Sequence, residues 1–235
     1  MTQPLRNRSR LMLGCGSAAL ALALVLTPDR AAAQGIRASG SIVTGSAEIN
    51  IVDSSTTQID ILSPTAVIDW TPDVDNNGDA LDFLRTGATA IFRAAQGDNF
   101  AVLNRILPTS NNNIAVIDGT VIGQVFDSTG AVVSGGFVAF YSPTGILVGD
   151  TASFDVGSLL LTTLDTTASS FESFASGGTL TLSGQPGSTA RVQINQGAQI
   201  AATRENSFFA VVAADVQMLA LRGSTAAMPM LQGRP

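Results

Sequence analysis

Glycine spacing narrows the folds open to this chain more than any other feature. Glycines flanking short β-prone runs stand at Gly119, Gly136, Gly157, Gly178 and Gly197, in steps of 17, 21, 21 and 19 residues. The runs include Glu48–Ile51, Phe137–Phe140, Thr179–Leu182, Arg191–Ile194 and Phe208–Val212. Several alternate apolar and polar residues, as half-buried strands do. A sandwich would show turn signals every ~8–12 residues with hairpin dipeptides, yet Asn77-Gly78 is the one Asn-Gly pair. A recurrence near 20 residues is what one coil of a parallel β-helix consumes, so the expected fold is an all-β solenoid with short extra-helical strands. Residues 36–221 would then make roughly nine coils and, at ~4.8 Å per rung, a rod of about 45 Å. The best helical candidate is Thr166–Ser176, whose serines and Phe171/Phe174 spacing read equally well as a loop.

Composition removes most polar catalysis. All 12 basic residues are arginine and there is no histidine, so Ser-His-Asp, Cys-His, His-metal, Schiff-base lysine and phosphate-loop lysine chemistry are excluded. Charged residues make up 13% of the chain, against roughly 25% in an average soluble protein. A net charge of -6 and a pI near 4.4 argue against a nucleic-acid partner, which needs a basic surface. No cofactor is expected.

The N-terminus reads as an address. Arg6, Arg8 and Arg10 form a positive region, Leu11–Leu26 an apolar run, and Ala31-Ala32-Ala33 a small-residue cleavage site ahead of Gln34. Sixteen apolar residues fall short of the roughly 20 that span a bilayer, so residues 1–33 are read as a cleaved signal peptide with Ala31, Ala33 and Gln34 at the cleavage point. Cys15 precedes most of the apolar run, and adjacent arginines of the twin-Arg type are missing, which favours the general secretory machinery and signal peptidase as first partners. The mature chain would carry no cysteine. That suits a chain kept unfolded through a second membrane, and equally a core large enough to need no disulfide. Residues 34–221 form the expected β-helix domain and 222–235 an irregular tail lacking strand alternation, read as the mark of a truncated reading frame.

Two acidic patterns carry candidate chemistry. Asp73, Asp75, Asn77, Gly78 and Asp79 match the first half of a calcium loop. Position 12 of that loop is Leu84, where a bidentate glutamate belongs, and Asp82 fits only a differently shaped loop, so no metal is assigned. Asp53 with Asp60, or Asp150 with Asp155, would supply a carboxylate pair for a glycosidase, but neither comes with a cationic cluster. The expectation is that the chain is not an enzyme.

Two stretches carry a family resemblance. Phe100–Ile106 is the first; Gly119–Gly123 followed by Phe137–Gly149 is the second. In order and spacing they resemble the N-terminal secretion domain of filamentous-haemagglutinin-type exoproteins, the two-partner secretion family. Ala66–Trp70 resembles that family's short strand ending in tryptophan, and Ala152–Leu164 its continuing coils. The resemblance covers about residues 36 to 221 and implies a right-handed parallel β-helix. It further implies recognition by an outer-membrane transporter with soluble periplasmic modules, passage unfolded, and folding outside, at the cell surface or in the medium. Such domains normally lead an adhesin, haemolysin or toxin.

The recognition candidates that follow from the resemblance are Leu103, Asn104 and Arg105, with Ser142, Pro143, Thr144, Gly145 and Ile146. The family's Asn-Pro-Asn-Gly-Ile turn is Ser142-Pro143-Thr144-Gly145-Ile146 here; proline and glycine keep the turn geometry. A corner without a recognition role is the alternative, with Arg105 capping carbonyls and Trp70 a core or cap aromatic. The alternative function is a stand-alone surface adhesin or carbohydrate-binding β-helix facing host cells or glycans, and after that a polysaccharide-active enzyme.

Overall fold

Two long strands open the described chain. The computed structural model describes residues 35–219 apart from 96, 98, 110–112 and 203. Strands β1 (Ala38–Ile51) and β2 (Thr56–Pro72) pair antiparallel around a short turn, where the Asp53 carboxylate accepts the Ser55 N–H at 2.7 Å. The register slips near Val43 and again near Ser46, and Gly45 takes a positive φ of 76° there; such bulges bend an edge strand away from further pairing.

β2 then serves two walls of a solenoid. Its first half pairs in parallel with β3 (Thr89–Ala94), and its second half with β4 (Ala101–Ile106). The chain continues through β5 (Ala115–Ile117), β6 (Thr120–Phe126), β7 (Val132–Ser134), β8 (Phe137–Tyr141) and β9 (Ile146–Val148). After these come β10 (Ser153–Val156), β11 (Ser158–Thr162), helix α1 (Ala168–Ala175) and β12 (Arg191–Ile194). The last described strands are β13 (Gln199–Ala202), β14 (Phe209–Val212) and β15 (Asp215–Met218). The first wall stacks β2, β3, β6, β10 and β13; the second stacks β2, β4, β8, β11 and β14. The third stacks β5, β9, β12 and β15, and Leu84 bridges to Ile117 in place of a strand in the first coil. Only β1 and β7 pair antiparallel among these strands. The fold is therefore the all-β parallel β-helix that the strand pattern predicts, with β1 and β7 as extra strands paired antiparallel outside the coils.

The coil length differs from expectation. Thr56, Thr89, Thr120, Ser153 and Gln199 stand in register on the first wall, so successive coils consume 33, 31, 33 and 46 residues. The described residues make five coils in place of nine, and four spacings of ~4.8 Å make the stack about 19 Å tall. The glycines misled because each coil has three corners. Gly119 enters the first wall, Gly136 and Gly157 enter the second wall of successive coils, and Gly178 follows α1 outside the coils. The run Thr179–Leu182 is also not a strand; Leu180 packs against the outside of the second wall.

Two apolar clusters hold the fold. The interior takes the inward residue of each rung, such as Ile59, Phe92, Val121 and Phe154 from the first wall and Ile117, Val148 and Ile194 from the third. Phe140 sits at its centre, edge-on to Phe83, Phe92 and Phe154 with ring centroids 6.1 to 6.4 Å apart. The second cluster lies outside the second wall, where Leu103, Ala139 and Leu160 are covered by Phe171 of α1. Thr167 caps α1 by accepting the Ser170 N–H at 3.2 Å. Gly177, at φ 89°, ends it, with Gly178 N–H donating to Ser173 C=O and Gly177 N–H to Phe174 C=O, a Schellman closure. The helical reading of Thr166–Ser176 is thus the one realised.

Candidate functional site

Stacking brings the sequence-singled residues onto the second wall. Leu103, Asn104 and Arg105 lie within β4, not at a corner, paired with β2 on one edge and β8 on the other. Alternation separates their roles. Leu103, 1% exposed, faces outward beneath α1, whereas Asn104, fully buried, faces the interior. Asn104 is a polar rung in an apolar ladder, between Ile68 and Phe140. Its Oδ1 accepts the Trp70 indole N–H at 3.0 Å and its Nδ2 donates to Ala139 C=O at 3.2 Å. This satisfies a buried amide and the indole together. Trp70 is a core aromatic, 5.7 Å from Phe83 and set edge-on to it.

Arg105 faces outward and lies between acids. Its Nε is 3.6 Å from Asp69 Oδ1 and its Nη2 3.9 Å from Asp165 Oδ1, while its Cζ stands 6.0 Å from the centre of the Tyr141 ring. Arg105 thus ties the segment after β11 to the wall through its contacts with Asp69 and Asp165. Burial pushes the Tyr141 phenol above its usual range, and Asp165 adds to that while Arg105 opposes it.

Ser142-Pro143-Thr144-Gly145 turns the third coil from the second wall to the third. Gly145 N–H donates to Ser142 C=O at 3.3 Å, and Gly145 has φ 117°, a region where side chains are strained. Thr144 Oγ1 donates to Asn113 C=O at 2.6 Å, stitching this corner to the coil before it. Ser142 is fully buried, Pro143 and Thr144 are half-buried, and Ile146 opens β9 inside the core. The turn therefore keeps the geometry that proline and glycine predict. Ala31, Ala33 and Gln34 lie outside the described residues.

The acidic loop closes on itself. Asp75 Oδ1 accepts the N–H groups of Asn77 and Asp79 at 2.8 and 3.0 Å, and these backbone bonds hold its carboxyl below the usual range. Leu84, at position 12 of the loop pattern, is fully buried in the core. Among the described residues no three acidic or thiol groups gather as metal ligands. Three acids of the two carboxylate pairs are engaged locally: Asp53 accepts from Ser55, Asp60 from Asn50 and Gln58, and Asp155 from Ser134.

A cleft outside the site residues singled out above runs along the corner between the first and second walls. Its volume is about 540 Å³, and it crosses all five coils, from Pro64 and Thr65 in the first to Arg204–Phe208 in the last. Phe100, Phe137 and Phe208 form its floor, and Phe174 with Ser176 from the end of α1 forms one bank. Phe137 packs against Phe174 and Phe208 at 5.6 and 5.2 Å, and the latter two meet at 5.9 Å with planes 77° apart. Gly136 and Gly157 let the chain approach its neighbours closely at the floor. A Cβ on Gly136 would strike the Phe100 ring, and one on Gly157 the Gly136 backbone. On the far bank Asn206 has φ 62°, the one positive value off glycine among the described residues, which asparagine tolerates in a tight turn. The available signal was Phe208-Phe209 after a polar corner: Phe209 enters the interior and Phe208 the outer cluster.

Comparison with protein-family models and with curated proteins returns no match.

Proposed function

We propose that this chain is the secretion domain of a two-partner exoprotein. An outer-membrane transporter with periplasmic modules recognises it, and it folds outside the cell as a β-helix that hinders backsliding. In this reading it is not an enzyme, and its product is the position of whatever polypeptide follows it. One observation carries the reading. The stretches behind the family resemblance, far apart in sequence, meet as a single stack in which Trp70, Asn104 and Ala139 are joined by side-chain hydrogen bonds across three successive strands. Because Leu103, Asn104 and Ser142 are buried once the coils close, a transporter reads them only on the unfolded chain. Recognition and folding are then mutually exclusive, which gives export its direction.

The test is co-expression with an outer-membrane transporter encoded beside the gene, followed by assay of the medium. Transporter-dependent appearance of a fragment beginning near Gln34 is the expected result. A mature domain already folded and protease-resistant in the periplasm, and retained there despite an active transporter, would overturn the proposal.

A further inference from the structure

The corner cleft has the shape and chemistry of a binding site that is independent of export. Three features decide what it holds. It crosses five coils, so at ~4.8 Å per rung it is about 19 Å long, which suits an extended polymer better than a compact molecule. Its surface mixes aromatic rings with short polar side chains, and its charged residues, Arg204 and Glu205, cancel. Its backbone is already used. Phe137 N–H donates to Phe100 C=O, Ser158 N–H to Gly136 C=O and Leu159 N–H to Phe208 C=O, so no free strand edge is offered for an added peptide.

We propose that this cleft binds a neutral linear oligosaccharide. The C–H faces of sugar rings lie against Phe174 and Phe208, both half-buried. Glu205, Asn206 and Ser207 on the exposed or half-exposed bank hydrogen-bond hydroxyls. Apolar walls with a few convergent polar groups are the general composition of ligand sites, and rings that are partly exposed supply area at low entropic cost. The helix end and the last corner form opposite banks, so the site exists only when the segment between β11 and β12 is docked on the second wall.

The purified chain, whether or not it is exported, is screened against immobilised neutral hexasaccharides built on glucose, mannose, xylose and N-acetylglucosamine, and any hit is titrated by calorimetry. The expected result is one-to-one binding of at least one hexasaccharide, with its disaccharide weaker by about tenfold or more, as loss of one or two contacts requires. Phe208→Ala and Glu205→Ala each weaken binding by about tenfold. Glu205 is exposed, so its variant keeps the wild-type melting temperature and remains informative if Phe208→Ala fails to fold. The proposal is overturned by absence of binding to every hexasaccharide at millimolar concentration. Binding that Glu205→Ala leaves unchanged, or a preference for anionic glycans or extended peptides, overturns it as well. Secretion assays do not depend on these outcomes, so the two proposals fail separately.

Discussion

The first and second walls are built from strands of similar length, yet they read differently. In the first wall's Thr89–Ala94 and Thr120–Phe126 burial alternates strictly, with one face inside and the other in contact with water. Along the second, Phe137–Tyr141 is buried at every position and Ser158–Thr162 at all but its first. The cause lies outside the coils. The 28-residue stretch between β11 and β12 folds back, and Phe171 with Phe174 covers the second wall's outer face. Continuous apolar runs mark a parallel strand covered on both sides, so Phe137–Tyr141 announces a covering layer that alternation in the first wall does not call for. The two walls thus divide the labour: one encloses the core, and the other also carries a covering layer.

Substitutions on the two sides of the second wall break that comparison most directly. Phe140→Ala empties the centre of the interior, where three other aromatic rings converge, and is expected to cost about 3–5 kcal/mol in urea unfolding. Asn104→Ala comes next at about 2–3 kcal/mol, because it leaves the Trp70 N–H without its partner in a site closed to water. Restoring size with Leu does not rescue it, since the indole donor remains unpaired. Phe171→Ala removes a fully buried ring too, yet about 2 kcal/mol is expected globally, because the covering layer releases before the coils open. Hydrogen exchange should then rise over residues 163–190 while β6 and β10 stay protected. Equal losses for Phe140→Ala and Phe171→Ala, with uniform exchange, would show instead that layer and coils unfold as one unit.

How much of this was legible in the sequence depends on the number of walls. The parallel β-helix was legible because inward residues recur in short strands bounded by turn residues. The coil length was not, because glycine marks a corner without saying which corner. Thr167 with Gly177 and Gly178 contained a cap and a stop for α1, but eight residues give helical periodicity little room to separate from a loop. Asn104 was legible as unusual within Val102–Ile106, whereas its role required Trp70, 34 residues earlier. The cleft was least legible, because its lining comes from five coils and a helix end, and no segment contributes more than a few residues.

The smallest effect tests the corner between the third and first walls, which no layer covers among the described residues. Asp118 there accepts from Thr86 Oγ1 at 2.6 Å, and from Thr151 N–H and Oγ1 at 2.9 Å each, linking three successive coils. Burial opposes its ionisation, but these hydrogen bonds outweigh burial and hold the carboxyl below its ordinary value of 3.8. A depressed carboxyl contributes stability that is present above the unfolded value and is lost as pH falls through the folded one. Asp118→Asn keeps the shape and most of the hydrogen bonds while removing the charge, so about 0.5–1 kcal/mol is expected at pH 7. The gap in melting temperature between wild type and variant should hold from pH 7 down to pH 5 and close below 3.8. A gap that persists at pH 2.5 would assign the loss to geometry and leave the exposed corner no more sensitive to charge than the covered wall.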